Sequence, residues 1–239
     1  FTSKPKDLPS VQAAAAMGQG LLMARWTAAF QAHHLDAAQV LLTTDDVMRR
    51  DHYTNVRASL TRLLGLGVVP ILNENDAVTT RELRFGDNDR LAALIAQMIK
   101  ADALVLLTDV DGLYTAPPDH PGSELITRVA SADDLMSVLV TGAGSRVGTG
   151  GMATKVQAAM LATTSGIGVQ LASADALEAV LAGQRVGTWF EPSQERPASR
   201  RLWIAHVAPS RGEVIVDEGA AQAITVGKKS LLVCLLYTS

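Results

Sequence analysis

The stretch GDNDRLAALIAQMIKADALVLLTD, Gly86–Asp109, joins a polar turn, a helix and a strand in one continuous run. Apolar residues recur at helical spacing after the turn and predict a helix over Arg90–Lys100. The next segment, ALVLLT at Ala103–Thr108, is apolar throughout and has the length of a strand. Strands without polar residues are covered on both faces, as in parallel sheets flanked by helices. The stretch therefore predicts an α/β fold.

The same alternation of helix and strand extends in both directions from this stretch. We expect an alanine-rich helix capped by Ser10 and a second helix capped by Thr44, since hydroxyl side chains favour that position. The predicted helices cover residues 8–34, 44–67, 131–139, 152–166 and 175–183. The further predicted strands cover residues 39–43, 68–76, 169–173 and 187–190. A mainly parallel sheet accounts for this order.

Composition excludes several classes of protein. The chain has 239 residues, 48% of them hydrophobic, and a formal charge of −3, which gives no basic field for nucleic acid. No apolar run approaches the roughly 20 residues that span a bilayer, so we expect no membrane insertion. The single cysteine, Cys234, allows no disulfide within the chain and fits a reducing, cytoplasmic location.

Polar side chains follow two of the predicted strands at the point where each ends. NEND, Asn73–Asp76, closes one strand, and Thr108 and Asp109 close another. In open α/β sheets, ligands bind at the carboxyl ends of the strands. We therefore expect both groups to contribute to a ligand site.

A glycine-rich segment, GTGGMATK at Gly148–Lys155, leads into a predicted helix. Free N–H groups and the helix dipole favour phosphate at such a position, and Lys155 adds a positive charge. The spacing matches neither a Walker A loop nor a dinucleotide fingerprint. The alternative is an ordinary turn before a helix, with Lys155 solvated at the surface.

The GDND turn places Asp87, Asn88 and Asp89 together at the start of a helix. One reading is a helix cap, for which Asp89 alone would suffice. Three such residues behind a glycine favour a functional role in addition.

Taken together, NENDAV, FGDND, LLTDVDGLYT and GTGGMATK resemble the glutamate 5-kinases of the amino acid kinase family. The resemblance runs from about Leu8 to about Gln222 and includes MGQ early and GEVIVDEGA late. It implies a three-layer α/β/α sandwich that binds ATP, Mg²⁺ and L-glutamate. The reaction it implies is phosphorylation of the γ-carboxylate of glutamate, the first step of proline synthesis.

The resemblance also implies roles for individual residues. Asp76, Asn88 and Asn73 match glutamate contacts. Lys155 matches the lysine that stabilises the transferring phosphoryl group, Asp89 the acid that orients the catalytic lysines, and Asp87 a carboxylate on the glutamate and metal side. No side chain is assigned as a dedicated metal ligand. The implied ATP contacts are Thr108, Asp109, Thr149, Gly150, Gly151, Met152, Ala153, Thr154 and Lys155.

Parts of the family pattern do not occur in this sequence. The Lys-x-Gly-Thr/Ser strand and the Ser-Gly-Ala loop of the family are not present. We therefore expect an N-terminally truncated kinase domain over residues 1–200, weak or inactive by itself. A polar linker near Pro192–Arg201 precedes residues 210–239, which resemble the beginning of a small β-rich PUA domain, with a tail that departs from the pattern after about Lys229.

The resemblance further implies homo-oligomers, glutamyl phosphate reductase as a pathway partner and feedback inhibition by proline, for which Thr79–Phe85 is the expected loop. Two alternatives remain open from the sequence. One is a kinase of the same family with another acid substrate, and the other is a truncated, non-catalytic protein that binds nucleotide or amino acid.

Overall fold

A computed structural model of the chain describes residues 5–79, 88–131, 134, 135, 151–193, 216–219 and 222. The chain divides into two compact units, Phe1–Val207 and Ala208–Ser239. Most of the second unit, where the PUA-like domain is predicted, lies outside the described residues. Asp87, Thr149, Gly150 and most of the helix predicted over 131–139 lie outside them as well.

The described elements of the first unit alternate between helix and strand, as the sequence predicts. Its helices are α1 (Leu8–Gln31), α2 (Thr44–Met48), α3 (Arg50–Gly65), α4 (Asn88–Ile99), α5 (Gly151–Thr164) and α6 (Leu177–Leu181), the last preceded by a 3-10 turn at Ala174–Ala176. Its strands are β1 (Asp36–Leu42), β2 (Val68–Glu74), β3 (Ala103–Thr108), β4 (Arg128–Val129), β5 (Gly168–Ser173) and β6 (Thr188–Phe190). Among the described helices, none is both long and apolar enough to cross a membrane.

The strand pairing is mainly parallel. β1 pairs with β2 in parallel, and β3 pairs with β5 in parallel. β6 runs antiparallel to β5 and carries the two-residue β4 on its other side, giving the order β3-β5-β6-β4. The predicted α/β class with a mainly parallel sheet is confirmed, and the described strands form two sheets.

Helix α4 lies between the two hydrophobic cores of the first unit. Leu94 and Met98 pack into the core that β1, β2 and α3 share. Ala93 and Ala96 pack into the other core, with α5, β3 and β5. The small side chains let α4 and α5 approach each other closely, since α5 also buries alanines at this contact. The start of α4 is thereby held beside the start of α5.

Two predicted caps are wrong by a few residues. The cap of α1 is Asp7, whose carboxylate accepts the Ser10 N–H at 2.9 Å, so Ser10 is the capped residue. The cap of α2 is Thr43, which forms a capping box with Asp46, and Thr44 is the first helical residue. Thr43 is favoured because its extended backbone directs its hydroxyl toward the free N–H groups of the first turn.

Two predicted helices also differ from the structure. The helix over 44–67 is two helices, because Arg49 takes an extended backbone (φ −84°, ψ 129°) and ends α2 before α3 begins. Helix α4 begins at Asn88 and not at Arg90. Asp89 therefore belongs to the first turn of α4 rather than preceding it.

Candidate active site

An ion pair joins Lys155 and Asp89, which lie 66 residues apart in the sequence. The Lys155 Nζ lies 3.0 Å from Asp89 Oδ1 and 2.9 Å from Oδ2. Both side chains are largely shielded, with 17% and 16% of their surface exposed. An ion pair with so little solvent contact is screened much less than a surface pair. The pair therefore fixes a lysine ammonium group at a defined place.

The two helices explain why these residues meet. Asp89 lies in the first turn of α4, where a carboxylate is favoured by the helix dipole. Lys155 lies in the first turns of α5, where the dipole disfavours a cation. Asp89 offsets that cost, because α4 and α5 pack side by side along their alanine faces. The reading of Lys155 as a solvated surface lysine is wrong for this structure.

A cavity of about 240 Å³ lies between α1 and the carboxyl end of β2. It contains two of the three residues predicted to bind glutamate, Asn73 and Asp76. The third, Asn88, is exposed at the first position of α4 and does not line this cavity. The lining residues are Ala15, Ala16, Gly18, Gln19, Leu22, Leu41, Asn73, Glu74, Asn75, Asp76 and Ala77.

A pair of amide side chains forms part of this cavity. The Asn73 Nδ2 donates to Gln19 Oε1 at 3.1 Å, and the Glu74 N–H donates to Asn73 Oδ1 at 3.0 Å. These two bonds fix the orientation of the Asn73 amide. The Gln19 Nε2 is buried and has no hydrogen-bond partner in the described structure. A buried donor without a partner is costly, so this group is suited to a polar ligand.

Gln19 had no predicted role of its own, although it belongs to the MGQ segment. The available signal was a polar amide within an alanine-rich helix, followed by the small Gly20. On α1, Ala15, Ala16 and Gly18 leave space for the cavity, and Gln19 is the polar side chain that α1 contributes to its lining.

Thr108 and Asp109, the predicted ATP contacts after β3, lie next to each other at the end of that strand. The Thr108 hydroxyl donates to Asp109 Oδ1 at 3.1 Å. Asp109 is exposed, while Thr108 pairs in register with Ser173 at the end of β5. The residues are thus presented at the carboxyl edge of the larger sheet, as expected for a ligand site in this class.

The remaining predicted ATP contacts belong to the start of α5. Gly151 is the first residue of that helix, and the Thr154 hydroxyl donates to the Gly151 carbonyl at 2.9 Å. Met152 and Ala153 are half-buried in the same turn. The loop residues Thr149 and Gly150 are outside the described part of the chain.

A cluster of polar side chains lies just after the end of β1. Asp46 accepts hydrogen bonds from the Thr43 hydroxyl at 2.6 Å and the Thr43 N–H at 2.8 Å, and its other oxygen lies 3.1 Å from His52 Nδ1. Burial raises the pKa of Asp46, but the bonds from Thr43 and His52 outweigh it and hold the pKa below its usual value. The Asn75 N–H donates to the Leu42 carbonyl at 2.8 Å and ties this end of β1 to the NEND segment.

The described acidic and histidine side chains indicate how a Mg²⁺ ion would be bound. Within the described ranges, no group of three or more His, Cys, Asp or Glu side chains is arranged to hold a metal ion. Both Asp89 oxygens are engaged by Lys155. Mg²⁺ commonly binds through substrate phosphates and only one or two carboxylates, which this donor set fits better than a cage of protein ligands.

Comparison with solved structures identifies the class of protein to which this fold belongs. A carbamate kinase from Giardia lamblia bound to AMP-PNP superposes with a TM-score of 0.58, covering 76% of this chain and 73% of that one, at 17% identity. The model of the amino acid kinase family matches residues 2–173. The chain belongs to the amino acid kinase family, and the predicted fold of that family is confirmed.

Proteins with higher sequence identity to this chain have a more specific name. A glutamate 5-kinase from Salinispora arenicola is 55% identical over 97% of this chain, and one from Thermobifida fusca is 54% identical over 97%. The chain spans 63% and 60% of the length of these two relatives.

Proposed function

We propose that the full gene product transfers the γ-phosphoryl group of ATP to the γ-carboxylate of L-glutamate and forms γ-glutamyl phosphate. The observation that carries this proposal is the 55% identity, over 97% of the chain, with a relative named glutamate 5-kinase. The geometry of the Lys155–Asp89 pair and of the cavity beside Asn73 supports it.

The acceptor explains why the site needs no general base. A glutamate side chain has a pKa of about 4.3 in water and is already ionised at neutral pH. Attack on phosphorus then requires orientation of the two substrates and neutralisation of charge on the transferring group. Cationic side chains and backbone N–H groups supply that neutralisation.

Lys155 is the residue best placed to act on the phosphoryl group. Its ammonium group lies in the first turns of α5, directly after the glycine-rich segment. Asp89 holds the ammonium in place without removing a proton from the substrate. A lysine fixed in this way is preorganised for the charge that develops on the equatorial oxygens.

The cavity between α1 and β2 is the proposed glutamate site. Its volume of about 240 Å³ is smaller than that of sites for drug-sized ligands and suits a free amino acid. The Asp76 carboxylate is matched to the ammonium group of an amino acid, and the Asn73 amide to a carboxylate. Asn88, the first residue of α4, and Asp87 are also proposed to contact glutamate.

Thr108, Asp109 and residues 149–155 are proposed to bind ATP. Mg²⁺ would supply charge neutralisation between the phosphates, with Asp87 as the proposed carboxylate on the metal side. The same proposal includes inhibition by proline at the loop Thr79–Phe85, of which the structure describes only Thr79. It also includes assembly into homo-oligomers and passage of the product to glutamyl phosphate reductase. A cytoplasmic location is part of it as well.

The test is the substrate preference of the full gene product. We expect ADP release with MgATP to depend on glutamate, with aspartate, N-acetylglutamate, carbamate and UMP at least tenfold poorer in kcat/KM. A tenfold preference corresponds to about 1.4 kcal/mol. Faster turnover of any other acid would replace glutamate as the substrate, and saturable binding of MgATP without turnover would favour a non-catalytic role.

A further inference from the structure

A buried hydroxyl joins the loop that follows β3 to β6. The Leu113 N–H donates to Thr188 Oγ1 at 2.8 Å, and the same hydroxyl donates to the Ile126 carbonyl at 2.6 Å. Leu113 and Ile126 also pair directly, through the Ile126 N–H and the Leu113 carbonyl at 2.8 Å. Thr188 is fully buried, so solvent cannot replace it at either bond. The hydroxyl therefore satisfies one donor and one acceptor that would otherwise be orphaned.

Two glycines let the loop lie directly on β6. A Cβ on Gly112 would stand 2.7 Å from the Thr188 Oγ1. A Cβ on Gly187 would stand 2.2 Å from the Leu171 carbonyl oxygen and 2.9 Å from that of Asp111. Gly187 also has φ +69°, a region that side chains disfavour. The backbone of residues 111–113 is thus seated against the ends of β5 and β6 with no room for side chains between them.

The start of β6 is also held by contacts that do not involve the loop. The Gln170 Nε2 donates to the Val186 carbonyl at 2.6 Å and to the Thr188 carbonyl at 3.1 Å. Because β6 runs antiparallel to β5 and Thr188 pairs with Leu171, the start of β6 lies near the carboxyl ends of β5 and β3. Thr188 is therefore held in the sheet by contacts that are separate from its contact with the loop.

We propose that Thr188 is a positioning residue for the nucleotide, acting through the loop that follows Thr108, the last residue of β3, and begins with Asp109. This rests on the proposed function, in which those two residues contact ATP. Residues 111–113 set where the loop can go after Asp109, and Thr188 fixes them. Loss of the hydroxyl leaves the Leu113 N–H buried without a partner, and the loop can relieve that cost only by moving.

Thr188→Val and Thr188→Ser in the full gene product test this inference. Valine keeps the shape and removes the hydroxyl, whereas serine keeps the hydroxyl. We expect Thr188→Val to raise the KM for MgATP about tenfold, a typical effect of one orphaned buried donor, with the KM for glutamate changed less than about twofold. Thr188→Ser should restore the KM for MgATP. Thr163→Val is the control, because the hydroxyl of this buried threonine donates within α5, to the Met160 carbonyl.

A second measurement covers the case in which Thr188→Val does not fold. Hydrogen exchange of the wild-type protein should show the Leu113 amide protected as strongly as the amides of β5. Rapid exchange at Leu113 would overturn the inference, and so would equal changes in both KM values for a folded Thr188→Val.

The two proposals fail in different ways. If the wild-type protein makes no acyl phosphate, the proposed function fails, and titration of the same variants with MgATP still measures the effect of Thr188 on nucleotide affinity. A wild-type enzyme with normal turnover and a Thr188→Val variant with unchanged nucleotide affinity would contradict only the role of Thr188.

Discussion

The ammonium group of Lys155 lies 3.0 and 2.9 Å from the two carboxylate oxygens of Asp89, although the residues belong to different helices. This contact joins the glycine-rich segment to the GDND turn, the two motifs for which the sequence alone left an ordinary structural reading open. One ion pair therefore connects the two motifs in the folded chain.

If Lys155 stabilises the transferring phosphoryl group as proposed, its replacement by alanine should reduce kcat by roughly 10²–10³, because a fixed cation is lost. The KM for glutamate should change little. Steady-state kinetics of the full gene product, with a thermal melt of the same variant, measures both effects.

Asp89→Asn tests the pair from its other side. We expect a fall in kcat, and the double variant with Lys155→Ala should be no slower than Lys155→Ala alone, since Asp89 acts through the lysine. Independent effects that multiply in the double variant would contradict this coupling.

The Gln19–Asn73 pair provides a test of the glutamate site. Gln19→Ala removes the acceptor of the Asn73 amide and should raise the KM for glutamate about fivefold, while the KM for MgATP stays within twofold. Gln12→Ala is a matched control on the same helix, because the side-chain bond that Gln12 makes within the described residues, to the Thr79 carbonyl, is long at 3.5 Å. An equal effect of both substitutions on glutamate would argue against a specific role for Gln19.

Acid should lower the stability of the folded state by protonating Asp46. Its pKa is lowered in the folded state, so the unfolded state binds more protons at mildly acidic pH. The stability from Asp46 is present above the unfolded pKa of about 3.9 and is lost as the pH falls through the folded value. Asp46→Asn should therefore be less stable than wild type at pH 7, with a difference that shrinks below about pH 4 in urea titrations. A difference independent of pH would show that ionisation of Asp46 contributes nothing.

Gly183 and Gly187 have similar positive φ angles. Substituting each by alanine therefore separates the cost of backbone strain from the cost of steric crowding. A Cβ added to Gly183 (φ +74°) would meet no atom within 4 Å, whereas the Cβ of an alanine at Gly187 would meet two carbonyl oxygens. Gly183→Ala should cost about 1 kcal/mol from backbone strain alone. Gly187→Ala should cost several times more in chemical denaturation, and equal losses would contradict the close packing at β6.

Much of the fold follows from local patterns in the sequence. The uniform apolar character of Ala103–Thr108 and the helical spacing after Asp89 identify their elements because burial on both faces leaves a strong signal. Caps were less predictable, since Thr43 and Thr44 are adjacent and chemically identical, and only the backbone conformation distinguishes them. The two residues of β4 are too few to show any periodicity.

Site residues that belong to sequence motifs could be predicted. Site residues that are defined by contacts between distant parts of the chain could not. Lys155 and Asp89 were identified by resemblance, yet the bond between them depends on the packing of α4 against α5. Thr188 lies in no motif, and Gln19 had no predicted role although it belongs to the MGQ segment, because their contacts are with partners 75 and 54 residues away. Such partners are brought together by tertiary structure, which local patterns do not encode.

The most direct measurement follows oxygen from glutamate into phosphate. L-Glutamate labelled with ¹⁸O in its γ-carboxylate is incubated with MgATP, hydroxylamine and the full gene product, and the released phosphate is analysed by mass spectrometry. Attack of the carboxylate on phosphorus predicts one ¹⁸O atom in each phosphate, because hydroxylamine then displaces it at the acyl carbon, with γ-glutamyl hydroxamate formed in equal amount. Phosphate that carries no ¹⁸O, or the absence of hydroxamate, would contradict glutamate phosphorylation by this protein.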